Sequence, residues 1–281
     1  MDLSSPPVHD HELNRQSWNE ATKQHRTHQP ELISDYVDKG RNKLFAEDLE
    51  LLGELQGKQV LHLQCNDGQD TVSMARWLRP RQVHGVDISD SAIDFAEELR
   101  DKMLAKACFD PGTDVCFTRC DVLEYLNDPA NRSSVDVVYS SYGTVNWLCD
   151  LTAWAEGIAS VLRPGGRFVI IDFHAVAMAL DLKTMTLKDN CLGGARYPST
   201  DGVSDYVGQD PAFQNSSPAV EYAWGVGDIV SSLLATKKLQ VQSLTEYPYV
   251  NGWAMYADMY QLPAGSPLLP MMYSIVASKQ V

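Results

Sequence analysis

The sequence predicts an α/β fold built on a mostly parallel sheet of seven strands with helices on both faces. Two observations support it. Short apolar strand patterns alternate with amphipathic helical patterns, and that alternation favours parallel strands joined by right-handed crossovers. Polar side chains follow several of the predicted strands, at the edge where ligands of such sheets bind. The chain has 281 residues, of which 44% are hydrophobic, so it is long enough for one large core.

The stretch of residues 58–88 contains the clearest unit: a strand, a tight turn at 65–68, a helix that Pro80 ends, and a second strand that ends at Asp87. A carboxylate about 20 residues after a tight turn is where a Rossmann-like sheet binds the ribose hydroxyls of an adenosine. The turn holds only Gly68, so it lacks the G-x-G-x-x-G pattern that a dinucleotide pyrophosphate needs. The sequence therefore predicts a Rossmann-like adenosine site without a pyrophosphate.

The elements on either side continue the alternation. We expect a mobile polar tail over residues 1–13, and then a single domain over residues 14–281. A helical cover, residues 14–56, precedes the ligand-binding core, residues 57–174. Further strands are predicted at 115–119, 135–140, 167–172, 239–247 and 271–278, with a last helix at 227–236 and the C-terminal helix and strands together spanning 225–281.

Residues 175–224 interrupt the alternation. The segment is predicted to be helical through Leu187 and then becomes rich in glycine, serine, proline and asparagine. A solvated linker seldom carries many aromatic residues, and this segment contains Tyr197, Tyr206, Phe213, Tyr222 and Trp224. We interpret it as a lid or substrate-binding insertion, with a mobile linker as the alternative.

Five motifs in order resemble those of class I S-adenosylmethionine-dependent methyltransferases. They are VLHLQCNDG at 60–68, VHGVDIS at 83–89, CDV at 120–122, VDVVYSSYGTVNWL at 135–148 and LRPGGRFVI at 162–170. His62, Gln64 and Asn66 stand where the family usually has Asp, Gly and Gly. The LQC in the first motif and the C-terminal segment resemble a branch of bacterial-type methyltransferases, most of which have no assigned substrate.

The resemblance implies S-adenosylmethionine as co-substrate, no metal, and a set of cofactor-binding residues. Asp87 would bind the ribose, Asp121 would accept from the adenine amino group, and Trp18 in the helical cover would fold over the cofactor. The remaining positions implied are Ile88 and Val122 against the adenine, Gln64, Cys65, Asn66 and Gly68 at the methionyl part, and Ser140 at the end of the fourth strand. The alternatives are helix capping for Asp87 and Asp121, and docking of the cover for Trp18.

The fourth motif bears on the substrate. Methyltransferases that act on nucleobase amino groups typically carry Asn/Asp-Pro-Pro-aromatic there, whereas this chain has Ser-Ser-Tyr-Gly at 140–143. We expect Tyr142 and Asn146 to face a small-molecule acceptor. His174 follows the fifth strand and is the predicted general base, because its ordinary pKa suits that role; a hydrogen-bonded structural histidine is the alternative.

Composition limits the partners and the location. The net charge of −14 disfavours binding to nucleic acid. The six cysteines form no CxxC pair, no histidines and cysteines have metal-ligand spacing, and no apolar run approaches a membrane span. We expect a cytoplasmic monomer or homodimer without metal or membrane contacts.

These observations predict an enzyme that transfers a methyl group from S-adenosylmethionine to N, O or S of a small molecule and releases S-adenosylhomocysteine. One alternative is a different displacement on the same fold that releases methylthioadenosine. The other is a non-catalytic, cofactor-binding regulatory protein. A methyl transfer that is mainly positioned, with water excluded, needs no metal.

Overall fold

The computed structural model describes residues 9–251 and 262–281. Its strands are β1 Gln59–Leu63, β2 Gln82–Asp87, β3 Asp114–Arg119, β4 Val135–Ser141, β5 Leu162–Phe173, β6 Leu180–Asp181, β7 Thr186–Leu187, β8 Ala195–Ser199, β9 Ala219–Ala223, β10 Leu239–Tyr247 and β11 Met272–Lys279. Its α-helices are α1 Asp10–Thr27, α2 Leu32–Val37, α3 Ala46–Leu52, α4 Gln69–Trp77, α5 Asp90–Ala105, α6 Val122–Asn127, α7 Leu151–Val161, α8 Ala175–Ala179 and α9 Val226–Ala235. None of these helices is long and apolar enough to cross a membrane.

The central sheet has seven strands in the order β3-β2-β1-β4-β5-β11-β10. The pairs β1–β2, β2–β3, β1–β4 and β4–β5 are parallel, while β11 runs antiparallel to both β5 and β10. The predicted mostly parallel α/β fold is therefore confirmed. Helix α4, which follows β1, and helix α7, which follows β4, pack on opposite faces of the sheet. The connections after β1 and β4 therefore leave a crevice between them at the carboxyl ends of the strands, which is where ligands bind in such sheets.

The core lies on both faces of this sheet. Residues of β1 alternate between the faces: Val60 packs with α4 and α5, whereas Leu61 and Leu63 pack with α6, α7 and α9. Trp154 at the centre of α7 is fully buried against the second face. Because both faces are covered by helices, most buried residues of the inner strands are apolar, with polar exceptions toward the site such as His62, Ser140 and Asp172.

The N-terminal boundary differs from the prediction. Helix α1 begins at Asp10, so residues 10–13 are not part of a mobile tail; residues 1–8 lie outside the described residues. The Asp10 side chain is completely buried and accepts hydrogen bonds from Arg196 and Tyr222. The pattern of a polar N-terminal segment does not show these partners, because they come from the insertion, 186 and 212 positions along the chain.

The insertion also differs from the prediction that it is helical through Leu187. Helix α8 ends at Ala179, and the short hairpin β6–β7 follows. The Asp181 carboxylate accepts hydrogen bonds from the backbone N–H groups of Lys183 and Thr184, which forms a turn and ends the helical path. A second hairpin, β8–β9, then packs on α1.

The cover and the insertion form one layer above the carboxyl ends of the strands. The Asn14 side chain on α1 bonds both the carbonyl and the N–H of Val220, at 2.9 and 2.7 Å. The Ser17 hydroxyl accepts from the N–H of Val203, and the Asn215 side chain donates to the Ser17 carbonyl. These contacts close the layer over the crevice between β1 and β4.

Candidate functional site

A cavity of about 160 Å³ lies at the carboxyl ends of β1, β2 and β4, beneath α1 and the insertion. It brings together nine residues that the sequence predicts for the site: Trp18, Gln64, Cys65, Asn66, Asp87, Ile88, Asp121, Val122 and Tyr142. These residues come from four strand ends and the helical cover, which are far apart in sequence. We call this the first cavity.

The turn after β1 holds Asp87 in place. Gln64, Asn66 and Gly68 all have positive φ, between 48° and 77°, so the chain folds tightly back toward β2. The N–H groups of Asn66 and Ser89 donate to separate oxygens of Asp87, each at 2.8 Å. Burial raises the Asp87 pKa to about 6 despite these hydrogen bonds. Each oxygen keeps lone pairs for a further donor in the cavity.

Asp121 is held by two different groups. One oxygen caps α6 by accepting from the N–H of Leu123, which confirms the capping alternative. The other accepts from Nδ1 of His11 on α1, whose Nε2 lies 3.3 Å from the N–H of Cys149. Burial opposes the charged form of His11, but hydrogen bonding and charge interactions with Asp121 and Cys149 together outweigh it and raise the His11 pKa to about 10. His11 and Leu123 thus both donate to the carboxylate that the resemblance assigns to the adenine amino group.

The other end of the first cavity, toward β1 and α4, is lined by polar groups, of which the sequence predicted only Gln64 as a site residue. Nε2 of His62, Oε1 of Gln64 and Oδ1 of Asp70 are buried and have no hydrogen-bond partner among the described residues. Lys43 lies beside them, and its charge opposes the rise in the Asp70 pKa that burial causes. Burial lowers the His62 pKa to about 3, so this ring is neutral near pH 7.

An aromatic group from three segments closes the first cavity. Trp18 of α1 makes edge contacts with Trp147 at 5.4 Å and with Tyr206 of the insertion at 6.2 Å between ring centroids. All three line the cavity. Burial raises the Tyr206 pKa, so its hydroxyl stays neutral. Tyr206 is thus a site residue that the sequence placed only within a broad insertion.

Two predicted cofactor-binding residues do not line the first cavity. Gly68 is buried behind the turn, where an added Cβ would lie 2.7 Å from the Ala96 Cβ and 2.8 Å from the Phe117 ring. Ser140 is fully buried and hydrogen-bonds the Thr144 hydroxyl at 2.8 Å. Gly68 thus permits the turn and its packing, and Ser140 supports the loop after β4.

The three predicted catalytic residues lie apart from one another. Tyr142 lines the first cavity, but its hydroxyl donates to the Asp48 carboxylate and accepts from Asn251. Burial raises the Tyr142 pKa well above its usual range, so the hydroxyl is not a base near neutral pH. Asn146 faces a second cavity, where its amide donates to Glu221 at 2.8 Å.

His174 lines neither cavity. Its Nδ1 caps α8 by accepting from the N–H of Val176 at 3.1 Å, and its Nε2 lies 3.0 Å from Glu246 on β10. Burial lowers the His174 pKa while Glu246 opposes that shift. Both ring nitrogens are thus engaged, and the structure shows His174 as the cap of α8; its role as general base stays a prediction.

We expect His174→Ala to lower the methyl-transfer rate by less than about tenfold and the free energy of unfolding by about 1 kcal/mol, because the change removes a cap and no cavity residue. Single-turnover rates and thermal unfolding of the same preparations would measure both. A hundredfold loss of rate at unchanged stability would support His174 as the base.

Comparisons with known proteins give the family. The model of a family described as "Methyltransferase domain" matches residues 54–215, more than half of the chain. A search of curated proteins found no match.

Among solved structures, a candidate S-adenosylmethionine-dependent methyltransferase from Listeria monocytogenes is 19% identical, with a TM-score of 0.57 over 83% of this chain and 94% of that one. One from Mesorhizobium loti is 19% identical, with a TM-score of 0.56 over 84% of this chain and 98% of that one. Geranyl diphosphate C-methyltransferase from Streptomyces coelicolor is 16% identical, with a TM-score of 0.51 over 83% and 76%. At such identities these structures establish the shared fold. The match of the family model to residues 54–215 shows that the chain belongs to the methyltransferase-domain family.

Proposed function

We propose that the protein binds S-adenosylmethionine in the first cavity and transfers its methyl group to a small organic acceptor. The observation that carries the proposal is that one cavity has a hydroxyl-binding carboxylate at one end and a cluster of unpartnered polar atoms at the other. Asp87 lies at one end as a buried acceptor for hydroxyls, and the unpartnered atoms of His62, Gln64 and Asp70 lie at the other. Unpartnered buried polar atoms are rare in folded proteins, so their clustering favours a polar ligand.

The residues present fit this cofactor. Asp87 would accept from the ribose hydroxyls, with Ile88 and Val122 against the adenine. At the other end the Asp70 carboxylate would pair with the α-ammonium group and Lys43 with the α-carboxylate. The turn has too few glycines for a pyrophosphate, which needs the close approach of several backbone amides.

The bound co-substrate supplies a methyl group activated by its sulfonium. The protein's own contribution is position and the exclusion of water, which Trp18, Trp147 and Tyr206 provide by closing the cavity. Aromatic faces also favour a nearby positive charge. No Lewis acid is needed for this displacement, so we propose a metal-independent reaction.

We propose a small-molecule acceptor rather than nucleic acid. The net charge of −14 repels a polyanion, and the cavity is closed over by α1 and the insertion. Geranyl diphosphate in the Streptomyces coelicolor enzyme is a small molecule bound on the same fold. We further propose that the protein is a cytoplasmic monomer or homodimer, and that it belongs to the branch with LQC in its first motif.

Incubation of the protein with S-adenosylmethionine and a metabolite extract tests the proposal. We expect S-adenosylhomocysteine to form together with one metabolite that gains a single methyl group, and Asp87→Ala to form neither at the same cofactor concentration. Mass spectrometry would detect both products. Methylthioadenosine in place of S-adenosylhomocysteine would identify the alternative displacement, and cofactor binding without turnover would identify a regulatory protein.

A further inference from the structure

A second cavity, of about 150 Å³, lies between the insertion and the carboxyl end of β5. It shares no lining residue with the first cavity. Its walls combine three carboxylates with aromatic rings. The carboxylates are Asp172, Asp189 and Glu221, and the rings are Phe173, Tyr197, Tyr222, Trp224 and Tyr273. No predicted cofactor-binding residue belongs to it.

Asp189 is exposed, and of the two remaining carboxylates Glu221 on β9 is the less satisfied. Among the described residues only Asn146 donates a hydrogen bond to it, at 2.8 Å, and burial raises the Glu221 pKa. Asp172 differs, because it accepts from the N–H groups of Gly143, Thr144, Val145 and Phe173. An ionised carboxylate has about four acceptor positions, so Glu221 retains capacity for a cationic donor.

Tyr273 on β11 supplies a second, independent observation. Its side chain is 1% exposed, and its hydroxyl has no hydrogen-bond partner in the described part of the chain. Tyr273 pairs with Asp172 in the β5–β11 register, so both side chains project from the same face of the sheet and line the cavity. A buried hydroxyl without a partner is unfavourable, and a ligand in this cavity that hydrogen-bonds to it would remove that cost.

We propose that the second cavity binds the positively charged nitrogen of a small organic molecule. The carboxylates repel an anion. Five aromatic rings together with Glu221, which accepts only one hydrogen bond among the described residues, form surroundings that stabilise an organic cation. Glu221 provides the opposite charge and the Tyr273 hydroxyl a polar contact. The volume corresponds to a ligand of roughly ten non-hydrogen atoms.

The position of the second cavity suggests that its ligand is the methyl acceptor, a step that rests on the proposed function. One turn separates the two cavities: Thr144 and Trp147 line the first, and Val145 and Asn146 line the second. Pairing with Glu221 keeps the nitrogen protonated, and a protonated nitrogen has no lone pair for methylation. The charged nitrogen therefore anchors and orients the acceptor through Glu221, and the methylated atom lies elsewhere in the ligand.

Calorimetric titration of the full-length protein with matched probes tests the inference without an activity assay. The probes are choline with its neutral isostere 3,3-dimethylbutan-1-ol, and 2-phenylethylamine with 2-phenylethanol. We expect at least one cation to bind about tenfold or more tightly than its neutral partner. Glu221→Gln should abolish this preference and Tyr273→Phe should weaken binding of the cation, whereas Glu246→Gln, an exposed carboxylate outside the cavity, should change neither.

Equal affinity for a cation and its neutral partner, a preference that survives Glu221→Gln, or no binding of either cation would overturn the inference. Titration of each variant with S-adenosylhomocysteine separates this result from the proposed function. A protein that binds S-adenosylhomocysteine and no cation keeps the proposed function and loses the inference. Circular dichroism and thermal unfolding show whether the Glu221→Gln and Tyr273→Phe variants are folded.

Discussion

Asp87→Ala is expected to weaken the binding of S-adenosylhomocysteine by about 1.5–3 kcal/mol, because the ribose hydroxyls lose a charged acceptor. The expected loss corresponds to roughly a 10- to 150-fold higher Kd, since 1.4 kcal/mol is a factor of ten. Calorimetric titration would measure it. Asp94→Ala, which alters an exposed carboxylate on the neighbouring helix α5, is the matched control and should bind as the unchanged protein does.

Because Asp87 also holds the turn after β1 through the N–H of Asn66, Asp87→Ala affects the free protein as well. Asp87→Asn keeps the size of the side chain and separates the two effects. Burial raises the Asp87 pKa to about 6, and only the ionised form accepts at both oxygens. The affinity of the unchanged protein should therefore fall as the pH drops below about 6, and this contribution should be missing in Asp87→Asn. A folded Asp87→Ala variant with unchanged affinity would remove the cofactor proposal.

The sheet and the Asp87 end of the site were predictable because their signals are local. The apolar alternation before the turn, the turn itself and the strand that ends at Asp87 all lie within residues 58–88. Periodicity reports which face of an element is buried, and parallel strands bring their carboxyl ends to one edge. The β10 bounds also agree with the sequence, since Lys237 and Lys238 precede that strand and Pro248 follows it.

The remaining site residues were not predictable because they act through contacts distant in sequence. His11 was assigned to a tail, yet it bonds Asp121, 110 positions away. Tyr206 lies in an insertion whose path depends on its packing against Trp18. His174 follows β5 as the sequence predicts, but both of its ring nitrogens have partners that the sequence did not indicate, Val176 and Glu246. A sequence pattern places a residue near a site but does not give the direction of its side chain.

A buried ion pair joins the cover to the insertion, beside the hydrogen bonds of Asn14 and Ser17. Asp10 is fully buried at the start of α1, and both of its oxygens accept from the Arg196 guanidinium at 2.7 Å, with the Tyr222 hydroxyl as a third donor. Burial acts to raise the Asp10 pKa, but these hydrogen bonds outweigh it and hold the pKa below its usual range. The same hairpin carries Glu221 and Tyr222 into the second cavity, so this pair links the cover to both proposed sites.

Asp10→Ala is expected to lower the free energy that holds α1 on the β8–β9 hairpin by about 3 kcal/mol. Removing one partner of a buried pair typically costs ~3–5 kcal/mol, and the lower end applies because the Arg196 side chain keeps 23% of its surface exposed. Hydrogen exchange of the hairpin amides, together with limited proteolysis, would measure the opening. Glu156→Ala, which breaks the exposed pair with Lys238, is the control and should leave exchange unchanged.

The pair also sets a pH dependence with a definite sign. Because the folded pKa of Asp10 is lowered, its contribution is complete above the ordinary aspartate pKa of about 4 and is lost as the pH falls toward the lowered value. Opening of the hairpin in the unchanged protein should therefore increase below about pH 4, whereas Asp10→Asn should lack this contribution at every pH. The double variant Asp10→Ala with Arg196→Ala should lose less than the sum of the single losses, because neither charge is then left buried alone. Strict additivity, or hairpin exchange that Asp10→Ala does not accelerate, would show that the contacts of Asn14 and Ser17 hold the cover without this ion pair.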